Sequence, residues 1–145
     1  MAKITFLPVD RSVPLKGKKT LKKFMEDLFL EEGKEMGHIT YIFCSDEYLL
    51  QINQQFLKHD DYTDIITFDL SEGTAIIGEI YISVDRVKDN AALLGLSFKE
   101  EVLRVIFHGA LHLCGYKDKK KSESKVMREK EGYYLRLFEK KKDGQ

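Results

Sequence analysis

The sequence predicts an α+β fold, a small mixed β-sheet packed with helices, and three observations carry that reading. Two segments, Ile39–Cys44 and Ile76–Val84, alternate apolar and polar residues with the period of a half-buried strand. Other segments repeat their apolar residues at helical period. The two kinds of segment are interleaved, with some strands joined only by short turns, which does not suit a regular βαβ array. The chain has 145 residues, 43% hydrophobic and 33% charged, which fits one globular domain with one core spanning 1–145.

The elements follow in order. Ile4–Pro8 is the first strand candidate. A helix follows, with Leu21, Phe24, Met25 and Leu28 on one face and Gly33 marking its end. After the Ile39–Cys44 strand, Ser45 can cap a helix whose first turn carries Asp46 and Glu47, and which ends near Phe56. Lys58 to Asp64 is polar and reads as a loop, and Ile65–Leu70 is β-branched and aromatic, a strand. In Ile76–Val84, Ile80, Ile82 and Val84 share one side, with Glu79, Tyr81 and Ser83 on the other. Asp85 to Leu94 reads as a helix closed by Gly95.

The next helix has the clearest signature. Ser97 and Glu100 form a capping box, and the helix runs to about Cys114, where Gly115 stops it. It is apolar nearly all round, so it belongs at the centre of the fold. A last helix, roughly Ser122 to Lys140, turns Val126, Met127, Tyr134 and Leu137 inward.

Charge and targeting narrow the function classes. Twenty-four Lys plus Arg balance twenty-four Asp plus Glu, so no global basic field draws in nucleic acid. The balance is uneven along the chain: Lys117 to Gln145 holds eleven basic residues against six acidic. Cys44 and Cys114 do not make a disulfide framework. The N-terminal stretch lacks a signal-peptide apolar run, and nothing approaches the ~18 apolar residues of a membrane span. These features read as a cytoplasmic protein with reduced thiols and no membrane association.

The chemistry concentrates in HGALHLCGYKD. His108 and His112 lie four apart on the buried helix, which puts both imidazoles on one face, their Cβ atoms roughly 5–6 Å apart. Alone, such a pair says little. Here the helix is otherwise apolar, so two imidazoles need partners for their polar atoms. Gly115 lets the chain reverse, and Asp118 returns six residues after His112. The spacing matches the His-x3-His-x2-Gly-x2-ligand pattern of metzincins. His108, His112 and Asp118 are therefore expected to hold one zinc or another divalent ion, with a fourth position open to water and hydrolysis as the chemistry. Cys114 lies about 200° round the helix from His112 and reads as core. His38 reads as structural, and His59 as a loop residue within possible reach of substrate.

Metzincins place Glu directly after the first His as general base; Gly109 stands there, so a peptidase built on this helix lacks its base. HGALHLCGY followed by SKVMREKE resembles the YbeY family of bacterial endoribonucleases, or rRNA maturation factors. The likeness extends to Asn53 and Phe56 of an Asn-x-x-aromatic element, to Thr63 and Asp64 before the ITF strand, and to Gly78, Glu79 and Ile80. The resemblance implies a zincin-like α+β domain and a metal-dependent, single-strand-specific endoribonuclease. It implies action in rRNA maturation at the small-subunit rRNA 3′ end and in ribosome quality control. It implies the small ribosomal subunit, a ribosomal protein and the GTPase Era as partners.

Two positions differ from the family pattern. The motif usually ends Tyr-Asp-His, where this chain has Tyr116, Lys117 and Asp118, so the third ligand is a carboxylate. The family usually has Arg after the aromatic, where this chain has Leu57. Lys58, His59, Lys117, Lys119, Lys120 and Lys121 are the candidates for RNA contact in its place; lysines beside an open metal site suit a polyanion. Two other readings fit part of the sequence: a non-catalytic ribosome-assembly factor with a structural metal, and a zincin-like metalloprotease.

Overall fold

The computed structural model describes residues 3–57 and 63–143. Its strands are β1 (Lys3–Pro8), β2 (Glu35–Cys44), β3 (Ile65–Asp69) and β4 (Ala75–Ser83). Its helices are α1 (Lys18–Glu31), α2 (Asp46–Ile52), α3 (Val84–Leu94), α4 (Phe98–Leu113) and α5 (Lys121–Asp143), with a π-helical turn at Asn53–Leu57 after α2. The strands form one mixed sheet in the order β1-β2-β4-β3. β1 and β4 both run parallel to β2, and β3 returns antiparallel on β4, with Ile65 opposite Ile82 and Asp69 opposite Gly78. The fold is the α+β arrangement that the alternating and helical segments predict.

The period-two pattern of the strands assigns the faces. Ile80 and Ile82 of β4, with Ile39 and Tyr41 of β2, join the main core with α1, α4 and α5. Phe24, Phe107 and Phe138, one from each of those helices, meet edge-on or tilted at the centre. The opposite face carries a smaller cluster of Cys44, Leu49, Ile52 and Ile66 under α2. Cys44 and Cys114 are free and buried. Among the described residues no helix is long and apolar enough to cross a membrane.

The caps follow the sequence. Ser45 accepts from the Tyr48 N–H, and Ser97 and Glu100 exchange hydrogen bonds with each other's backbone. Gly115 takes φ 108°, which a side chain would resist, and lets the chain leave α4 sharply. Two differences have clear causes. The helix begun at Asp46 is α-helical only to Ile52 and then widens into the π-turn, carrying Asn53 into the interior. Val126 is 43% exposed, because α5 buries Met127, Glu131, Tyr134 and Phe138, a stripe at i, i+4, i+7 and i+11.

Close helix-on-sheet contact sets the depth of α4. A Cβ on Gly109 would lie 2.8 Å from Ile80 Cγ2 and 3.2 Å from Ile65 Cδ1. A Cβ on Gly78 would lie 2.8 Å from Leu113 Cδ1. Both positions therefore have to be glycine for α4 to rest directly on β4. That contact turns the next helical face, with Arg104, His108 and His112, toward open space.

Candidate metal centre

An open cleft of about 900 Å³ lies over that face of α4. Its floor is Arg104, His108 and His112; one wall is the β3 side, with Asn53, Leu57, Asp64, Ile65 and Thr67; the other is α5, with Ser124, Met127, Arg128 and Glu131. Asp118 and Lys119, on the turn between α4 and α5, close one end.

The turn after Gly115 brings Asp118 back over the helix. Its Oδ2 lies 3.2 Å from His108 Nε2 and 3.3 Å from His112 Nε2. The two rings stand nearly perpendicular, centroids 4.6 Å apart. One ligand atom from each of the three residues falls within 4.8 Å of the others.

The far side of each imidazole is occupied. His112 Nδ1 lies 2.9 Å from the Tyr116 carbonyl oxygen, which can only accept, so Nδ1 carries the hydrogen and Nε2 presents a lone pair. His108 Nδ1 lies 2.5 Å from Glu131 Oε2. Both Nε2 atoms therefore face a carboxylate oxygen with no described donor between them. Three acceptors converging in this way require a proton or a cation, and two imidazoles plus one carboxylate match zinc-type donor sets. Carboxylate and carbonyl partners on the outer nitrogens are what orient histidines in such sites.

A second polar network continues up the same helix. Glu101 and Glu131 are buried, at 0% and 3% exposure. Arg104 joins them, donating from Nε and Nη2 to Glu101 at 2.8 and 2.7 Å and from Nη1 to Glu131 at 3.1 Å. Its Nη2 also stands 4.0 Å from Asp64 Oδ2 on the β3 wall. The hydrogen bonds to Glu101, above all, raise the Arg104 pKa and fix its charge. The far end of the turn is anchored too. Glu32, at the end of α1, accepts from the Tyr116 hydroxyl at 2.6 Å, from the Tyr134 hydroxyl, and from Lys130 Nζ at 3.2 Å. Burial works against the Glu32 carboxylate, but these donors outweigh it and hold its pKa below the ordinary value.

The structure brings His108, His112 and Asp118 together as the spacing predicts. Cys114 is in the core, and burial pushes its thiol pKa to about 12, which does not favour a thiolate ligand. His38 lies on β2 away from the cleft. Of the candidate RNA contacts, Lys119 lines the cleft. Lys117, Lys120 and Lys121 are exposed on the turn and at the start of α5, outside the lining. Lys58 and His59 lie outside the described residues. Sequence reasoning missed Arg104, Arg128 and Glu131. The signal for Arg104 was present, since 104, 108 and 112 fall at successive i, i+4 positions; Glu131 reaches the site only because α5 crosses α4.

The profile of the family described as Endoribonuclease YbeY matches residues 9–139 of this sequence. The chain belongs to the endoribonuclease YbeY family. It is 51% identical to the endoribonuclease YbeY of Flavobacterium psychrophilum over 115 residues, 79% of this chain and 82% of that one. It is 47% identical to the endoribonuclease YbeY of Porphyromonas gingivalis over 128 residues, 88% and 85% of the two chains. The solution structure of a Thermotoga maritima protein, 33% identical, superposes with a TM-score of 0.62 over 98% of this chain and 93% of that one.

Proposed function

We propose that this YbeY-family chain is a metal-dependent endoribonuclease acting on single-stranded RNA, built as one hydrolase domain, with His108, His112 and Asp118 as the ligands of one zinc or other divalent ion. The observation that carries the reading is the convergence of His108 Nε2, His112 Nε2 and Asp118 Oδ2, three acceptors on the floor of an open cleft. A divalent ion held there supplies Lewis-acid chemistry to a phosphodiester. The protein's own part is positional. Glu131 and the Tyr116 carbonyl orient the two rings, Arg104 holds Glu131 against His108, and Asp64 stands on the cleft wall opposite α5. The reading extends, on family resemblance, to rRNA maturation at the small-subunit rRNA 3′ end and to ribosome quality control in the cytoplasm, with the small subunit, a ribosomal protein and the GTPase Era as partners.

Gly109 weighs against a peptidase. A Glu there would meet Ile80 and Ile65 of the sheet, so it could not serve the cleft without displacing the helix. The test is cleavage of a single-stranded rRNA fragment and of casein by clean protein, with and without chelator. Chelator-sensitive cutting of the RNA alone is expected. Efficient casein cleavage would favour the peptidase, and RNA binding without cutting would favour an assembly factor.

A further inference from the structure

We propose that Arg128, together with Lys119, holds the phosphate backbone of the substrate along the α5 wall, so that the strand lies with its bases toward β3. The inference rests on the single-stranded RNA reading above and adds which side of the cleft carries the backbone.

The charges on the floor and inner walls are already committed to one another. Glu131 is shared by His108 and Arg104. Asp64 faces Arg104 and accepts from Asn90 Nδ2 at 3.4 Å. Asp118 faces the two imidazoles. Among the described residues, Lys119 and Arg128 are the cations that line the cleft and whose side chains have no ion pair or hydrogen bond. An exposed guanidinium or ammonium that lines the cleft without a salt-bridge partner is free to make charge-assisted hydrogen bonds to phosphate.

Placement puts both next to the ligand group. Lys119 follows Asp118 directly. Arg128 lies on the cleft-facing stripe of α5, three residues and so about 4.5 Å of helix rise before Glu131, which touches His108. It stands on the side of Glu131 nearer the Asp118 turn, because α5 begins at Lys121. A phosphate at Arg128 is thus adjacent to one at the three acceptors. The planar fork of Arg also suits phosphate oxygens two at a time.

The opposite wall has the reverse character. Among the described lining residues this wall carries no cation: Leu57 and Ile65 are apolar, Asn53, Thr63 and Thr67 are neutral and polar, and Asp64 and Asp69 are acidic. The position where the family pattern has Arg is Leu57, on this wall. The cleft is therefore lopsided: its unpaired cations are Arg128 of α5 and Lys119 on the turn before it, and the described residues of the β3 wall are neutral or acidic. A single strand is lopsided in the same sense, with phosphates on one edge and bases on the other. A duplex carries phosphate on both outer edges and would meet the acidic wall.

The experiment titrates metal-loaded protein with two short single-stranded oligoribonucleotides of unrelated sequence over a range of salt. Arg128→Ala should weaken both about tenfold, as expected for loss of a charge-assisted contact. It should flatten the slope of log affinity against log salt by roughly 0.7. Metal content should not change. Arg128→Lys should restore the slope, and Leu57→Ala should leave it as in wild type. Unaltered affinity and slope in Arg128→Ala, with wild type binding both strands, would overturn this inference alone. A loss confined to one of the two sequences would also overturn it, because backbone contacts do not read bases. A wild-type protein that binds neither strand would overturn the functional reading and this inference together.

Discussion

The cleft-facing stripe of α4 has two halves that use charge in opposite ways. At its start, Glu101 and Arg104 are joined by two hydrogen bonds, Glu131 completes the set, and every charge has an opposite partner. One turn on, His108 and His112 have their outer nitrogens satisfied while their inner nitrogens face another acceptor. The first half is closed by hydrogen bonds within itself, one guanidinium shared between two buried carboxylates. The second half is built so that only a proton or a cation can complete it. Polar density alone therefore does not mark a site; a convergence of like hydrogen-bonding character does. Glu131 links the halves, since one of its oxygens serves Arg104 and the other His108.

The largest effect is expected at Arg104. Removing it leaves Glu101 and Glu131 buried without their cation, and breaking a buried pair in this way costs about 3–5 kcal/mol. Arg104→Ala should show that loss in denaturant unfolding of metal-free protein. A loss below about 1 kcal/mol would mean that Arg104 does not hold the two buried carboxylates.

The depth of α4 gives the next largest effect. Gly109→Ala forces a methyl group against Ile80, and overpacking of this kind costs typically about 1–3 kcal/mol. The same change should weaken metal binding, because lifting α4 moves both imidazoles relative to Asp118. If Gly109→Ala matches wild type in stability and in metal affinity, α4 is not seated by that contact.

Glu32 gives a smaller effect. Its pKa is lowered in the folded state, so its contribution is fully present above the ordinary glutamate value and is lost as pH falls through the lower, folded value. Glu32→Gln should therefore reduce stability at neutral pH by about 1 kcal/mol, because the amide keeps an acceptor oxygen but loses the charge-assisted bonds. It should also reduce the acid-induced part of the loss. A wild-type and variant difference that does not shrink on acidification would contradict the role of the carboxylate.

How far the sequence revealed this depends on whether a feature is local. The Ser97 capping box, the i, i+4 histidines, Gly115 and the returning Asp118 all lie within about two dozen residues, and short-range spacing is enough to place them. The β4 alternation was equally legible, and Ile80 and Ile82 are buried as it predicts. Glu131 was not, because a glutamate within an apolar stripe looks like a solvent-facing interruption until α5 is docked on α4. The same docking explains Val126, which is apolar yet exposed. Arg128 was hidden for a related reason: its value lies in facing a cleft whose other wall includes Asn53, Leu57 and residues of β3. The lysine run beside Asp118 drew attention by density, but one member, Lys119, reaches the cleft lining.

Metal content is the decisive test of the proposed site at His108, His112 and Asp118. Wild type, His108→Ala, His112→Ala and Asp118→Ala would be purified, equilibrated against the same low concentration of zinc, and analysed for bound metal and for retained fold. The account predicts about one ion per wild-type chain, as expected of a single three-ligand centre, and loss of most of it in each variant. Folded variants that hold as much metal as wild type would contradict it.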